Sequence, residues 1–431
     1  MAESPTILPG ENGAESPPTP LFSSQTPPEV GERMVVVGQM LATSGEALLG
    51  SLKSPVRTSS DLIKAAGVNK DIASRFMSAL AKRDPMAVAY YMPGVESLRR
   101  ISRGAKARAG APAAPVIKTF DQAISAFERF LQDELGGRHA LDAVASAWLP
   151  EARERFEATS RQMHFRATAN LRGIECRVIT NASLICPGAD ADRYDAVQIS
   201  GLVGLQRLRP TVPLKLATFE HRDDTAGRPT MTIDGRPIPA DGSMEEYLPQ
   251  FSTRDASCVR VLSAGSCSFY QFVDQSLGVG RSNDLIFGQY VQGLFRRWAR
   301  QPGDIAANME SVEIPAQRLV LDVLVHRDAW PGIEPELMIY NTCTRGTALP
   351  YDASRDSDRV DLLDSIRPLG DGVDCCRVTE APRYLDLLRW SCAQRGWDPG
   401  AFRVYRCDTR HPVVGMQYTA AFRLRERPLP A

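Results

Sequence analysis

The sequence has no long apolar run, no zinc-ligand spacing and no net charge. No stretch approaches the ~20 apolar residues of a membrane-spanning helix, and no charged-then-apolar signal segment follows Met1. The five histidines are scattered and no cysteines form a C-x-x-C pair, so we expect no metal and no other cofactor. These absences predict a cytoplasmic protein with no membrane span, whose nine cysteines are reduced and mostly buried.

The charge is balanced overall but is unevenly placed along the chain. The 431 residues include 51 basic and 51 acidic side chains, so the whole molecule is not a polycation. Residues 1–30 contain four glutamates and no lysine or arginine, whereas residues 53–110 contain twelve basic and four acidic residues. A local basic excess of this kind is what contact with phosphate groups requires. A solvated helical surface has the same composition, and that interpretation stays open.

The length and the patterning predict a multi-domain α+β protein. The N-terminal tail is rich in Pro, Ser, Thr and Glu and should be disordered. Apolar residues then recur at helical spacing, as in Phe120, Ile124 and Phe127, and strand-like alternation begins near Gly173. The predicted segments are a disordered tail (1–30), an all-α helix-turn-helix domain (31–104), a Gly/Ala/Pro-rich linker (105–115), a helical connector (116–165) and a mixed α+β domain (166–431).

The C-terminal domain is expected to contain many short strands and two helices. Alternation of apolar and polar residues predicts the strands, and Asp234–Gly235 has the composition of a hairpin turn. Helices are expected at 284–299 and 381–396. The predicted strands are 194–200, 212–219, 230–238, 258–262, 318–326, 336–341, 402–407 and 417–423.

The sharpest local pattern predicts two short helices, over 59–66 and 70–82, joined at Gly67. Gly67 can take the positive φ that ends a helix tightly, and Asn69 can cap the second helix. Ile72 and Phe76 supply an apolar face to that helix. This arrangement is typical of a helix-turn-helix, whose second helix enters the DNA major groove.

The opposite face of helix 70–82 is small and polar, with basic edges. It is predicted to carry Lys70, Ala73, Ser74, Met77, Ser78 and Ala81, with Arg75 at its border. Such a face can lie against base edges without clashing while its cations reach phosphates. The predicted DNA-binding residues are Asn69, Lys70, Ser74, Arg75 and Ser78.

The run from Gly67 to Leu80, G-V-N-K-D-I-A-S-R-F-M-S-A-L, resembles the G-[LV]-x-K-x-x-[VA]-S-R-x-L-x-x-L pattern of bacterial winged-helix transcriptional regulators. The resemblance implies a double-stranded-DNA-binding module in which Lys70, Ser74 and Arg75 contact DNA. It covers only this N-terminal segment. The sequence after Leu80, with Asp84–Pro85, does not contain an obvious wing of two strands.

Several function classes are compatible with this sequence. The leading interpretation is a transcriptional regulator that pairs as a homodimer, with a C-terminal domain for dimerisation or for sensing a small-molecule effector. A pair of helices joined by glycine is also common as a simple αα-corner, or as a surface for protein contact. The alternatives are an enzyme with its site in 166–431 that docks through the N-terminal helices, and a phage-type structural protein with a basic arm.

Two weaker constellations lie in the C-terminal domain. Arg207 and Arg209 follow close-packing glycines and are candidates for holding an anionic ligand, although a structural ion pair is the commoner outcome. Asp322 and His326 lie four residues apart on a strongly apolar strand, hence on one face. An Asp–His pair can serve acid–base chemistry or bind a ligand, or the two residues can be hydrogen-bonded structural groups.

Overall fold

The computed structural model divides the chain into two compact units, residues 1–156 and 157–431. Some residues of each unit lie outside those that the structure describes. The predicted disordered tail lies outside the described residues as far as residue 27. The described ranges are 28–52, 56–108, 111–210, 214–220, 230–238, 244–253, 256–264, 267–277 and 279–428.

The N-terminal unit is helical. Its described residues contain no strand, so helices follow α3 at the place where a winged helix would have its wing. A short π-helical turn, Phe130–Glu134, continues α6. The helices are α1 (Pro28–Ser51), α2 (Ser59–Ala66), α3 (Lys70–Leu80), α4 (Pro85–Tyr91), α5 (Val95–Arg108), α6 (Ala114–Arg129), α7 (Arg138–Ser146) and α8 (Pro150–Arg172), whose C-terminal part belongs to the second unit.

Side-chain caps define where the short helices begin. Thr58 and Asp61 form a capping box at α2, in which each side chain satisfies a backbone N–H of the other residue. The Asn69 side chain accepts a hydrogen bond from the Ile72 N–H at 2.9 Å and so caps α3, as the sequence predicted. Asp84 caps α4, and Pro85 occupies its first turn, where no backbone donor is lost.

A single core joins the helices of the N-terminal unit. Phe76 of α3 and Phe120 of α6 are both fully buried and meet edge to face, with 5.8 Å between ring centroids. The helices predicted as separate helix-turn-helix and connector domains therefore share one core. The predicted linker at 105–115 also differs from the structure, because Lys106 and Arg108 belong to the last turn of α5 and Ala114 begins α6. A Cβ on Gly104 would overlap the Ala66 carbonyl. The glycine at this position therefore reflects close packing of α5 on α2, and not a flexible linker.

The C-terminal unit is built on a seven-stranded sheet of order β11-β12-β9-β1-β2-β7-β4. Its strand pairs are antiparallel except β1 with β9, which are parallel. Two three-stranded sheets, β10-β13-β8 and β3-β6-β5, accompany it. The strands are β1 (Ile174–Pro187), β2 (Arg193–Arg207), β3 (Leu214–Glu220), β4 (Thr230–Thr232), β5 (Val259–Ala264), β6 (Cys267–Phe272), β7 (Asn283–Arg296), β8 (Ile305–Ser311), β9 (Ala316–His326), β10 (Glu336–Asn341), β11 (Ile366–Asp371), β12 (Phe402–Arg410) and β13 (Met416–Arg423).

The large sheet is covered on both faces. Helix α9 (Tyr384–Arg395) packs Leu387 and Leu388 on one face, against residues such as Leu184 of β1. The other face, called the inner face here, packs on the β10-β13-β8 sheet through Tyr418 and Phe422. Burial on both sides explains why β9 is an almost continuous apolar run.

The helix expected at 284–299 is wrong, because the chain forms β7 there. Gly288 and Gly293 lower helix propensity, and aromatic and β-branched residues between them favour a strand. Gly288 is closely packed, since a Cβ there would lie 3.0 Å from Leu248 and closer still to Ile233, so these two side chains would have to shift. The helix expected at 381–396 is confirmed as α9.

We predict that Gly67→Ala weakens the α2–α3 pair, because Gly67 has φ 69°, a left-handed conformation that costs a residue with a β-carbon about 1 kcal/mol. Amide hydrogen exchange of α2 and α3 should become roughly fivefold faster. The matched control is Gly50→Ala in α1, where φ is not positive and a Cβ meets nothing within 4 Å. That change should stabilise α1 by about 0.5–1 kcal/mol, and slower exchange in α2 and α3 of Gly67→Ala would contradict the prediction.

Candidate nucleic-acid interface

The outward face of α3 is polar and exposed. Lys70, Ser74 and Ser78 recur every four residues and, with Arg75, are exposed to solvent. The opposite face is anchored in the core by Ala73, Phe76 and Ala79, of which none is exposed. Ala73 therefore does not belong to the polar face on which it was predicted, and Met77 is half-buried against the same core.

The start of α3 presents Asn69 beside the tight turn at Gly67. Asn69 is exposed, and its side-chain oxygen is already used as the helix cap, which leaves its amide donors free to point outward. Gly67 closes α2 by donating its N–H to the Ile63 carbonyl at 2.8 Å. The guanidinium of Arg108, at the end of α5, lies beside Gly67. The turn thus brings a distant cation to the α2–α3 junction.

The cations of this unit differ in their pairing. On α5, Arg99 contacts Glu128 at 2.5 Å and Arg103 contacts Glu96 at 2.5 Å. Lys82 contacts Glu151 at 3.3 Å. A second group is exposed and has no carboxylate within 4.0 Å in the described part of the chain. This group includes Lys64, Lys70, Arg75, Lys106 and Arg108 on α2, α3 and α5, and also Arg57, Arg83, Lys118, Arg129 and Arg155 elsewhere in the unit.

The packing of α5 against α2 decides which cation of α5 lies near the Gly67 turn. Gly104 of α5 lies against Ala66 of α2, which places the last turn of α5 next to the C-terminus of α2. Arg108, four residues after Gly104, therefore lies beside the Gly67 turn. Lys106 is exposed in the same last turn of α5. Lys106 and Arg108 were predicted to lie in a linker and not at a DNA-binding surface, because no local sequence pattern reports which helix ends meet. An exposed acidic residue, Asp71, interrupts the face.

A groove between α1 and α6 is chemically different. It has a volume of about 740 Å³, and its lining side chains include Val36, Met40, Val116 and Thr119, with no charged residue among them. A polyanion needs cations at its contact surface. Of these two surfaces, only the α2–α3 side has the charge that nucleic acid requires.

Arg207 and Arg209 do not form a joint anion site. Arg207 is buried and donates to the carbonyls of Asp274 at 2.9 Å and Phe272 at 3.2 Å. Burial lowers the pKa of its guanidinium. Arg209 instead donates to the Leu171 carbonyl. Both side chains satisfy backbone carbonyls, which is a structural role.

Asp322 is committed to a buried ion pair. Both its oxygens accept hydrogen bonds from Arg406, each at 2.7 Å, and one also accepts from the Tyr384 hydroxyl at 2.8 Å. Burial and the neighbouring carboxylate raise the pKa of Tyr384, so it stays a neutral donor. Although burial alone would lower the pKa of Arg406, its bonds with Asp322 raise it.

His326 lies away from this network, at the end of β9. Its Nδ1 is 3.6 Å from a carboxylate oxygen of Asp328, and its ring packs edge-on against Phe402. Four residues along a strand span about 13 Å, so a shared face does not bring Asp322 and His326 together. The predicted Asp–His pair is therefore wrong.

Potential metal and redox groups are dispersed. The described residues contain no cluster of three or more His, Cys, Asp or Glu side chains able to hold a metal ion. Of the eight cysteines whose side chains are described, six are buried and none is in a disulfide, as expected for reduced structural thiols. No helix within the described ranges has the length and apolarity needed to cross a bilayer.

Comparison with known proteins identifies no family for this chain. No family model matches it, and no curated protein matches it. Among solved structures, a crystal structure described as a "putative protease" from Parabacteroides distasonis is aligned over 58% of this chain with 8% identity and a TM-score of 0.26. The aligned part covers 40% of that protein. A similarity this low carries no argument about fold or function.

We predict that Arg406→Met destabilises the C-terminal unit by about 3–5 kcal/mol, because Asp322 would be left buried without its counter-ion. The double variant Asp322→Leu/Arg406→Met should lose less stability than the single one. Arg423→Met is the control, since Arg423 is exposed and pairs with Glu336 at 2.9 Å; it should cost about 0–1 kcal/mol. Chemical denaturation measures all three, and equal losses for Arg406→Met and Arg423→Met would refute the structural role of Asp322.

Proposed function

We propose that the N-terminal unit binds double-stranded DNA with α3 in the major groove, and that the protein regulates transcription. The observation that supports this most is the exposed face of Lys70, Ser74, Arg75 and Ser78, with cations that lack carboxylate partners in the described chain. An α-helix with its side chains is about 10–12 Å in diameter, which suits insertion of the 11-residue α3 into a groove about 12 Å wide.

In this proposal the length of each exposed side chain decides whether it contacts the base edges or the phosphates. Ser74 and Ser78 are short hydrogen-bonding groups in the middle of the exposed face and would read base edges. Lys70, Arg75 and Arg108 would contact phosphates on the flanking strands. The exposed amide of Asn69, at the helix start, would donate to a phosphate or a base edge.

The rest of the proposal concerns assembly. A single pair of helices gives weak, poorly specific binding, so we propose a homodimer that reads two half-sites. The C-terminal unit would provide dimerisation, effector sensing or both, and a function on chromosomal DNA would place the protein in the cytoplasm. The competing enzyme hypothesis named Asp322 and His326, but these two residues do not converge, so they carry no catalytic proposal.

We predict that Ser74→Ala/Arg75→Ala reduces affinity for a specific DNA fragment while leaving the fold intact, because both side chains are exposed and neither packs in the core. Loss of the Arg75 phosphate contact should reduce the slope of log K against log [salt] by about 0.9. Selection from random genomic fragments, followed by fluorescence anisotropy at several salt concentrations, measures both quantities.

The matched control for that variant is Arg100→Ala. Arg100 is an exposed arginine in the same unit, but it lies 3.8 Å from Glu96 and belongs to the paired group. It should leave the salt slope unchanged. If both variants change DNA binding equally, α3 has no special role, and if the wild-type protein selects no DNA, the proposed function is wrong.

We also predict that Asp71→Asn strengthens DNA binding. Asp71 is exposed in the first turn of α3, where a carboxylate would repel phosphate and partly cancel the neighbouring cations. Asn69 continues to cap the helix, so the cost to stability should be only about 0.3–1 kcal/mol from the helix dipole. Affinity should rise severalfold at low salt and less at high salt, and weaker binding at all salt concentrations would contradict the assignment.

A further inference from the structure

The inner face of the large sheet has a patch that is polar and incompletely covered. Along β2, Tyr194 and Ala196 are buried on this face, but Gln198 and Ser200 are only half-buried. Their register partners on β7 are Gln289 and Phe287, which are also half-buried. Directly paired residues share a face, so the four side chains are neighbours on the inner face. Asn181 of the neighbouring strand β1 pairs with Ser200 and extends this group.

The opposing small sheet contributes a carboxyl group to the same region. Glu310 of β8 accepts a hydrogen bond from the Asn181 amide at 2.7 Å, and Asn308 donates to the Asn181 oxygen at 3.0 Å. Burial raises the pKa of the Glu310 carboxyl to about 7; the Asn181 bond opposes the rise and the nearby Glu313 adds to it. No lysine or arginine of the described chain lies within 4.0 Å of this carboxyl.

A hydroxyl beside these groups lacks a partner. Ser183 follows Asn181 by two residues on β1, so both side chains are on the inner face. Its side chain is fully buried, and its Oγ makes no hydrogen bond. An unpaired buried hydroxyl is destabilising, and a hydrogen bond to a bound polar molecule would remove that destabilisation.

We propose that this patch, formed by Asn181, Ser183, Gln198, Gln289 and Glu310, is a binding site for a small organic cation that also carries hydroxyl or amide groups. The inference is independent of the DNA-binding proposal. The uncharged amides and the Ser183 hydroxyl would hydrogen-bond the neutral groups of the ligand. The ammonium group would pair with Glu310, which has no counter-ion in the described chain.

The surrounding chemistry favours a cation over an anion. Phe287 borders the patch, and the rings of Tyr247 and Tyr270 meet its ring edge to face at 5.4 and 5.6 Å. Aromatic faces attract ammonium groups. The Tyr270 hydroxyl donates to Glu246, which adds another carboxylate to the vicinity. An anionic ligand would meet the Glu310 carboxyl here, which has no lysine or arginine within 4.0 Å among the described residues.

The test compares matched sugars with the full-length protein by calorimetric titration at pH 7. The probes are glucosamine, glucose and glucuronate, which share a ring and differ in charge, with putrescine as an amine without hydroxyls. We expect glucosamine to bind about tenfold more tightly than glucose, which corresponds to about 1.4 kcal/mol, and glucuronate not to bind. Equal binding of glucosamine and glucose, preferential binding of glucuronate or no binding of either amine would overturn the proposal.

Two variants locate the binding. Glu310→Gln should remove the preference for glucosamine over glucose, whereas Glu334→Gln, at an exposed glutamate of the same unit, should retain it. Ser183→Ala is a second variant for use if Glu310→Gln does not fold. It should fold, because the hydroxyl that it removes makes no hydrogen bond to the described residues. It should weaken glucosamine binding severalfold without lowering the melting temperature of the free protein. Unchanged binding in Ser183→Ala and Glu310→Gln would place the ligand elsewhere.

Discussion

The orientation of the N-terminal surface depends on the burial of one face of α3. Ala73, Phe76 and Ala79 are fully enclosed, and Phe76 locks the helix to α6 through Phe120. Since a helix is rigid, burial of this face compels Lys70, Ser74 and Ser78 to face solvent. The same core includes α1, whose Gly45 lies against Phe76 and would crowd it if it carried a side chain. Packing therefore sets which polar groups are offered to a partner.

The charge of that surface depends on which cations of the unit are paired with carboxylates. Carboxylates of α5, α6 and α8 neutralise Arg99, Arg103 and Lys82. Near α2 and α3, the Asp61 carboxylate instead accepts hydrogen bonds at the start of α2, as part of the capping box with Thr58. Its hydrogen bonds from Thr58 and Arg57 lower the pKa of the carboxyl. Arg108 lies beside Gly67, and the exposed Lys70 and Arg75 of α3 have no carboxylate within 4.0 Å in the described part of the chain. These cations are the physical basis of the DNA-binding proposal.

The two faces of the large sheet differ in whether their buried polar groups have hydrogen-bond partners. On the α9 side, Asp322 is fully satisfied by Arg406 and Tyr384, which makes it a structural element. On the inner face, the Ser183 Oγ has no hydrogen-bond partner among the described residues, and Glu310 accepts a hydrogen bond from the Asn181 amide without a cation within 4.0 Å in the same residues. A satisfied network rigidifies a core, whereas an unsatisfied one retains free energy that a ligand can use. Asp322, which the sequence marked as a candidate, is therefore structural, whereas Ser183 and Glu310, which the sequence did not mark, belong to the proposed binding site.

The sequence by itself determined the local features of this protein. Helices α2 and α3, the left-handed Gly67 and the Asn69 cap were predictable, because each depends on residues within a few positions of one another. Patterning also determined the mixed α+β composition, but it mistook β7 for a helix, although Gly288, Gly293 and the aromatic and β-branched residues between them favour a strand. Only the tertiary structure decided that Asp322 pairs with Arg406, 84 positions away, and that Glu310 meets Asn181. Those contacts depend on strand order and register, which no local pattern encodes.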